Sequence, residues 1–331
     1  MELKSACKLM AAPALHVPSI VYHADWGSDA KKRWIAKATL NNGRYTAFAL
    51  EAVGDLADLI PSIRHQIGQN GCALIGFDFP IGIPAFYAHK VGICSFREML
   101  SQFGNGEWAK FYDVCRETSQ ISLYQPVYPY NSGNEKGCRK KNHLFAGLAV
   151  SSMDDLMRQC ERKTSDRNAA ECLFWTLGPK TVGKGAIIGW RDVIAPALLD
   201  DSVRLWPFDG SLRDLLKPGN VVIAETYPAE YYRHFVEVLP RGFGKNNQES
   251  RQLVGRAVEE WATNAGISVE ELFRTQLFDG FGDRKGADDP FDAAVGLFGM
   301  LEVILGRRGS GEPADQIISK LEGWILGQIS E

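Results

Sequence analysis

Ala73-Leu74-Ile75-Gly76-Phe77-Asp78-Phe79-Pro80-Ile81-Gly82-Ile83-Pro84 is an apolar run that ends in a carboxylate and is stopped by a Pro-x-Gly-x-Pro turn. It is too short for a helix and is bounded by breakers, so it predicts a buried strand. Asp78 then stands at the carboxyl end of that strand, where open α/β sheets bind ligands. Read alone, Asp78 serves equally well as a turn cap. The pattern occurs twice more. Ser19-Ile20-Val21-Tyr22-His23-Ala24-Asp25-Trp26-Gly27 is a β-rich run ending in Asp25, and Val221-Val222-Ile223-Ala224-Glu225-Thr226-Tyr227-Pro228 ends in Glu225 before a proline.

Working outward, residues 33–40 and 44–50 flank Asn41-Asn42-Gly43. Asn-Gly between strand-like runs predicts a hairpin. Apolar residues at Leu56, Leu59, Ile60, Ile63 and Ile67 have helical spacing. The first part of the chain therefore reads strand, strand, strand, helix, strand, with the helix crossing over to a parallel strand. From Ala85 to Pro218 the alternation stops. Helices are expected over 96–103, 108–115, 154–160, 167–177 and 186–199, the last broken at Pro196, with a Pro/Tyr loop over 124–130. Residues 85–218 read as a mostly helical insertion within a single domain, 1–331. Helices follow over 229–235, 249–265, 268–277, from Asp288 onward, and over 313–329. The class is α/β.

The chain has 331 residues, of which 45% are hydrophobic, enough for a sizeable core. The formal charge of −3 argues against a broad grip on duplex DNA and leaves room for a local basic groove. No apolar run approaches the roughly 20 residues that span a bilayer. Residues 1–15 are broken by Pro13 and do not read as a signal peptide, so a cytoplasmic protein without membrane partners is expected. The seven cysteines (7, 72, 94, 115, 138, 160 and 172) form no Cys-x-x-Cys pair and read as reduced thiols.

Strand-end acids that converge repel one another unless cations neutralise them. Hard ions such as Mg²⁺ or Mn²⁺ take carboxylate oxygens, and one or two of them can serve a phosphodiester displacement. Asp288-Asp289-Pro290-Phe291-Asp292 adds acids at the opening of an apolar helix. Asp289 there also fits an N-cap and Asp292 the third helical position, roles compatible with metal binding. Glu225 alternatively pairs with Arg233 or Lys245. The densest basic group, Lys136-Gly137-Cys138-Arg139-Lys140-Lys141-Asn142-His143, follows the Pro/Tyr loop and suits single-stranded or branched nucleic acid. Candidate phosphate contacts are Arg139, Lys140, Lys141, Lys184, Lys245 and Arg251, each of which also reads as plain surface charge. Residues 181–185 lack the P-loop pattern, and no Gly-x-Ser-x-Gly elbow occurs. His23 reads as a core histidine and His143 as a candidate base.

The element order, with Asp25 on the first strand and Asp78 on the fourth, resembles the ribonuclease H-like superfamily. Asp289-Pro290-Phe291-Asp292-Ala293 is similar to the Asp-x-x-Asp-Ala of Holliday-junction resolvases in that superfamily. A closer likeness is to domain-of-unknown-function family 429, described as predicted nucleases of this fold. It rests on Ile75-Gly76-Phe77-Asp78-Phe79-Pro80-Ile81-Gly82, Glu225-Thr226-Tyr227-Pro228-Ala229-Glu230 and Asp289-Pro290-Phe291-Asp292-Ala293-Ala294. The resemblance implies a five-stranded mixed sheet flanked by helices, with the insertion between strands 4 and 5. It also implies a divalent-metal site and phosphodiester hydrolysis of nucleic acid. Asp25, Asp78, Asp289 and Asp292 fall where the superfamily's metal ligands lie. Glu225 matches the closer family and has no counterpart among the resolvase ligands. The alternatives are a nucleotide-binding phosphotransferase, which usually needs two such cores, and a non-catalytic binding protein on the same fold.

Overall fold

The computed structural model describes residues 17–130, 140–178 and 182–329. The hairpin forms as expected from β2 (Trp34–Asn41) and β3 (Arg44–Ala52). Its turn residues Asn42 and Gly43 have φ of 51° and 78°, the left-handed pair that Asn-Gly supplies. β1 (Ile20–Asp25) runs antiparallel to β2. α1 (Leu56–Ile67) is capped by Asp55, whose carboxylate accepts from Ala57 N at 3.0 Å, and it buries Ile60, Ile63 and Ile67. It crosses over to β4 (Ala73–Phe77), which lies parallel to β1. β6 (Val221–Glu225) lies parallel to β4.

The mixed sheet has seven strands rather than five, in the order β5-β6-β4-β1-β2-β3-β7. The additions are two short edge strands. β5 (Val203–Leu205) pairs with β6 inside the segment read as a helical insertion. β7 (Ser268–Val269) pairs with β3 where a helix was expected to begin. Runs of two or three residues carry no measurable periodicity.

Between β4 and β5 lie α2 (Ala85–Lys90), α3 (Phe96–Met99), α4 (Lys141–Leu148), α5 (Gly183–Gly189) and α6 (Ala195–Ala197), joined by 3-10 and π turns. The helices expected over 108–115 and 167–177 do not form. Their aromatics pack between separate turns instead: Phe103 stacks on Phe111 at 3.8 Å, and Tyr128 bridges to Trp175. Ring spacing met by such contacts imitates helical spacing in the sequence. The helix expected over 313–329 shrinks to a π turn at Ile318–Glu322, ended by Gly323 at φ 68°. α7 (Leu212–Leu215) precedes β6. α8 (Pro228–Phe235), α9 (Gln248–Asn264), α10 (Glu271–Asp279) and α11 (Asp288–Ile304) follow it.

The sheet divides two apolar cores. Ala24, Ile75, Phe77 and Ile223 face α1 and the β4–β5 connection. Val21, Leu74, Val222 and Ala224 face α8 to α11. β4 and β6 are buried throughout, as a strand covered on both faces requires. α11 lies across β1 and β2. It comes so close that a Cβ at Gly296 would overlap the His23 ring, which fixes the helix against β1. Among the described residues no helix is long and apolar enough to cross a membrane.

Candidate functional site

The register of three parallel strands decides which acids meet. Ala24 lies beside Phe77, and Phe77 beside Glu225. One residue on, Asp25, Asp78 and Thr226 form the next row. Asp78 N donates to Ala24 O at 3.3 Å and Thr226 N to Phe77 O at 2.8 Å. Residues in one cross-strand row share a face, and successive residues alternate. Asp25 and Asp78 therefore belong to the α11 face, and Glu225 belongs to the opposite one.

α11 completes the cluster. It opens at Asp288, earlier than an Asp289 cap would place it; its N-cap position is Ala287, so Asp289 lies inside the first turn. Burial, then Asp78 and Asp292, hold the Asp25 carboxyl well above the usual carboxylate range. Burial, then Asp292, push Asp78 up to about 7, against a hydrogen bond from the Asp25 side chain and another from Trp26 N at 2.6 Å. Burial and Asp288 push Asp289 up to about 6. Asp292 is buried and accepts from the Tyr232 hydroxyl and the Lys245 ammonium. Lys245 also lies 3.9 Å from Asp288. The Asp25 carboxyl thus feels Asp78, Asp292 and Asp289 together with the Lys245 ammonium, and Asp289 feels the Lys32 ammonium as well. Thr226 Oγ1, in the row of Asp25 and Asp78, is buried without a hydrogen-bond partner. The acids offer oxygen donors, the kind a hard divalent cation takes, and among the described residues no three of them, as they stand, bring ligand atoms within 4.8 Å of one another.

Glu225 is not brought to this cluster. Its two oxygens accept from Arg158 Nη1 and Nη2, both at 2.7 Å, and Ile81 N adds a bond of 2.6 Å. Its partner is neither Arg233 nor Lys245. Arg158 is itself 1% exposed and also reaches Glu161 and the Glu322 carbonyl. Glu225 is a buried structural carboxylate, because a shift of one residue in register turned it to the other face.

The basic candidates separate. Arg139 lies outside the described residues. Arg251 is buried and donates to the carbonyls of Gly280, Lys245 and Gly282, so it shapes the loop carrying Lys245 and offers nothing to solvent. Lys245 is bound into the acid cluster. Lys141 pairs with Glu171 at 3.0 Å, and Lys140 is exposed just before α4. Beside Lys184, Gly185 O accepts from Trp26 Nε1 at 3.1 Å. The Lys184 ammonium sits 5.2 Å from the Tyr130 ring centroid.

His23 is a core residue as expected. Its Nδ1 lies 3.1 Å from Ala293 O, and burial pushes it down to about 3. His143 bonds the Tyr128 hydroxyl at 3.0 Å. Tyr232 escaped the sequence reading because nothing marks one tyrosine of Tyr231-Tyr232 as facing Asp292. No family model matches the chain, and no curated protein or solved structure is significantly similar to it.

Proposed function

We propose that this protein is a divalent-metal-dependent nuclease-like hydrolase of phosphodiesters, built on a ribonuclease H-like core. The supporting observation is that Asp25 and Asp78 stand in one cross-strand row on the face covered by α11, where Asp289 and Asp292 add their charge and the carboxyls of Asp25, Asp78 and Asp289 are held above the usual carboxylate range. The inner five strands, β3-β2-β1-β4-β6, with β2 antiparallel to its neighbours, agree with such a core. In this reading β5 and β7 are edge additions, and residues 85–218 are an insertion beside the site.

Asp25, Asp78, Asp289 and Asp292 would hold one or two Mg²⁺ or Mn²⁺ ions. When bound, such ions activate water and neutralise charge on the phosphate. The chain's own groups do the rest. The Trp26 amide fixes one oxygen of Asp78. Tyr232 orients Asp292. Lys245 neutralises part of the cluster and, once released from Asp292, is placed to meet a substrate oxygen. Lys184 and the half-exposed Tyr130 offer a cation and a ring to a single-stranded or branched nucleic acid. Hydrolysis forms a bond from water oxygen to phosphorus, breaks the bond to the leaving oxygen and returns a proton to that oxygen.

The test is cleavage of single-stranded, branched and hybrid substrates with Mn²⁺, comparing wild type with Asp25→Asn. The wild type is expected to cleave at least one substrate, with a loss of at least about a hundredfold in the variant. Equal rates in the two would remove the reading.

A further inference from the structure

A second group of donors lies away from the acid cluster and has a different chemistry. Asp166, Glu230 and His234 each place one ligand atom within 4.8 Å of the other two. Glu230 and His234 are four residues apart on α8, so they share one face of the helix. The His234 side chain is 1% exposed, yet its Nε2 makes no hydrogen bond. That nitrogen lies 3.9 Å from Asp166 Oδ2. The other ring nitrogen, Nδ1, lies 2.8 Å from Glu302 Oε2 on α11.

We propose that Asp166, Glu230 and His234 bind a divalent transition ion of the Zn²⁺ type and that the ion is structural. A carboxylate on Nδ1 holds the imidazole in the tautomer that frees Nε2 as an electron-pair donor, the usual support for a zinc-bound histidine. An imidazole among two carboxylates selects zinc, cobalt or nickel over magnesium, which prefers oxygen alone. Ligand atoms about 2.1 Å from a tetrahedral zinc are about 3.4 Å apart, so the 3.9 Å between His234 Nε2 and Asp166 Oδ2 has to close by roughly 0.5 Å, and Glu230, whose ligand atom lies within 4.8 Å of both, has to close with them.

The charge around the group admits a cation. Asp166, Glu230 and Glu302 supply three carboxylates, against the guanidiniums of Arg167, 2.9 Å from Glu230, and Arg308, 3.3 Å from Asp166 and 3.9 Å from Glu230. With neutral His234 the group retains one negative charge. A divalent ion at Nε2 more than offsets it, leaving one positive charge, and Arg308 shares the carboxylates with the ion. The ion would join the β4–β5 connection, through Asp166, to α8 and, through Glu302, to α11.

The test uses the full chain stripped with chelator and then given Zn²⁺, Mg²⁺ or Co²⁺. One equivalent of Zn²⁺ is expected to raise Tm where the same Mg²⁺ does not, and Co²⁺ is expected to give a visible absorption band. His234→Ala should lose both responses. Glu302→Gln should bind at least about tenfold more weakly, as loss of a carboxylate behind a ligand histidine does. Asp25→Asn should keep both, which separates this site from the nuclease reading. If His234→Ala does not fold, Asp166→Asn is read in its place. No Zn²⁺ stabilisation and no Co²⁺ band in wild type would overturn the proposal. So would a band that survives in folded His234→Ala or disappears in Asp25→Asn.

Discussion

Asp78 carries a proton affinity that the unfolded chain does not share. Its carboxyl is pushed from an ordinary 3.8 up to about 7 by burial and by Asp292. The folded state therefore holds this proton more tightly than the unfolded state. The resulting stability is fully present below about pH 4 and is lost as pH rises through about 7. Asp289, at about 6, acts in the same sense. Asp78→Asn removes the charge and keeps an oxygen for the Trp26 amide. In metal-free buffer it is expected to stabilise the protein at pH 8 by about 1–3 kcal/mol and to leave it little changed at pH 4. Urea melts at the two pH values check this; an equal shift at both would contradict it. Glu225 is the opposite case, a carboxylate already compensated. Arg158→Met strands it in the core and should cost about 3–5 kcal/mol in the same melts, without changing cation affinity at the acid cluster. Nothing in the sequence distinguishes Glu225 from Asp25 or Asp78. All three end buried strands, and only the cross-strand register separates them.

At the scale of elements, the site depends on how closely α11 approaches β1. Gly296 permits that approach, since a side chain there would meet the His23 ring. Gly296→Ala should cost about 1–3 kcal/mol and also weaken cation binding, because Asp289 and Asp292 would move away from Asp25. Thermal melts together with a Mn²⁺ titration check both halves; lost stability with unchanged Mn²⁺ affinity would detach α11 from the site. The elements that build the site were the legible ones. β1, β4 and β6 are apolar runs closed by breakers, the β2–β3 turn is an Asn-Gly, and α1 and α9 have clear helical spacing. The β4–β5 connection was not legible, because its rings satisfy one another across turns. Nor was the Tyr232 and Lys245 grip on Asp292, which joins residues 47 or more positions apart.

In the whole molecule, buried guanidiniums fasten the β4–β5 connection to the rest. Arg158 reaches β6 and the Glu322 carbonyl, and Arg167 reaches Glu230 on α8 and Gln328. Connection and sheet should therefore unfold together, with far-ultraviolet dichroism and tryptophan fluorescence giving coincident transitions; two separated transitions would contradict this. The same molecule gathers Asp25, Asp78 and the acids that open α11 on one face of the sheet and sets Lys245 against Asp292 there. Whether that place is made for a divalent ion is measured most directly by calorimetric titration with Mg²⁺, which seeks an all-oxygen site. Wild type is expected to take up one or two ions, and Asp25→Asn to bind at least about tenfold more weakly. Superimposable isotherms for the two proteins, or no uptake by wild type, would contradict the account.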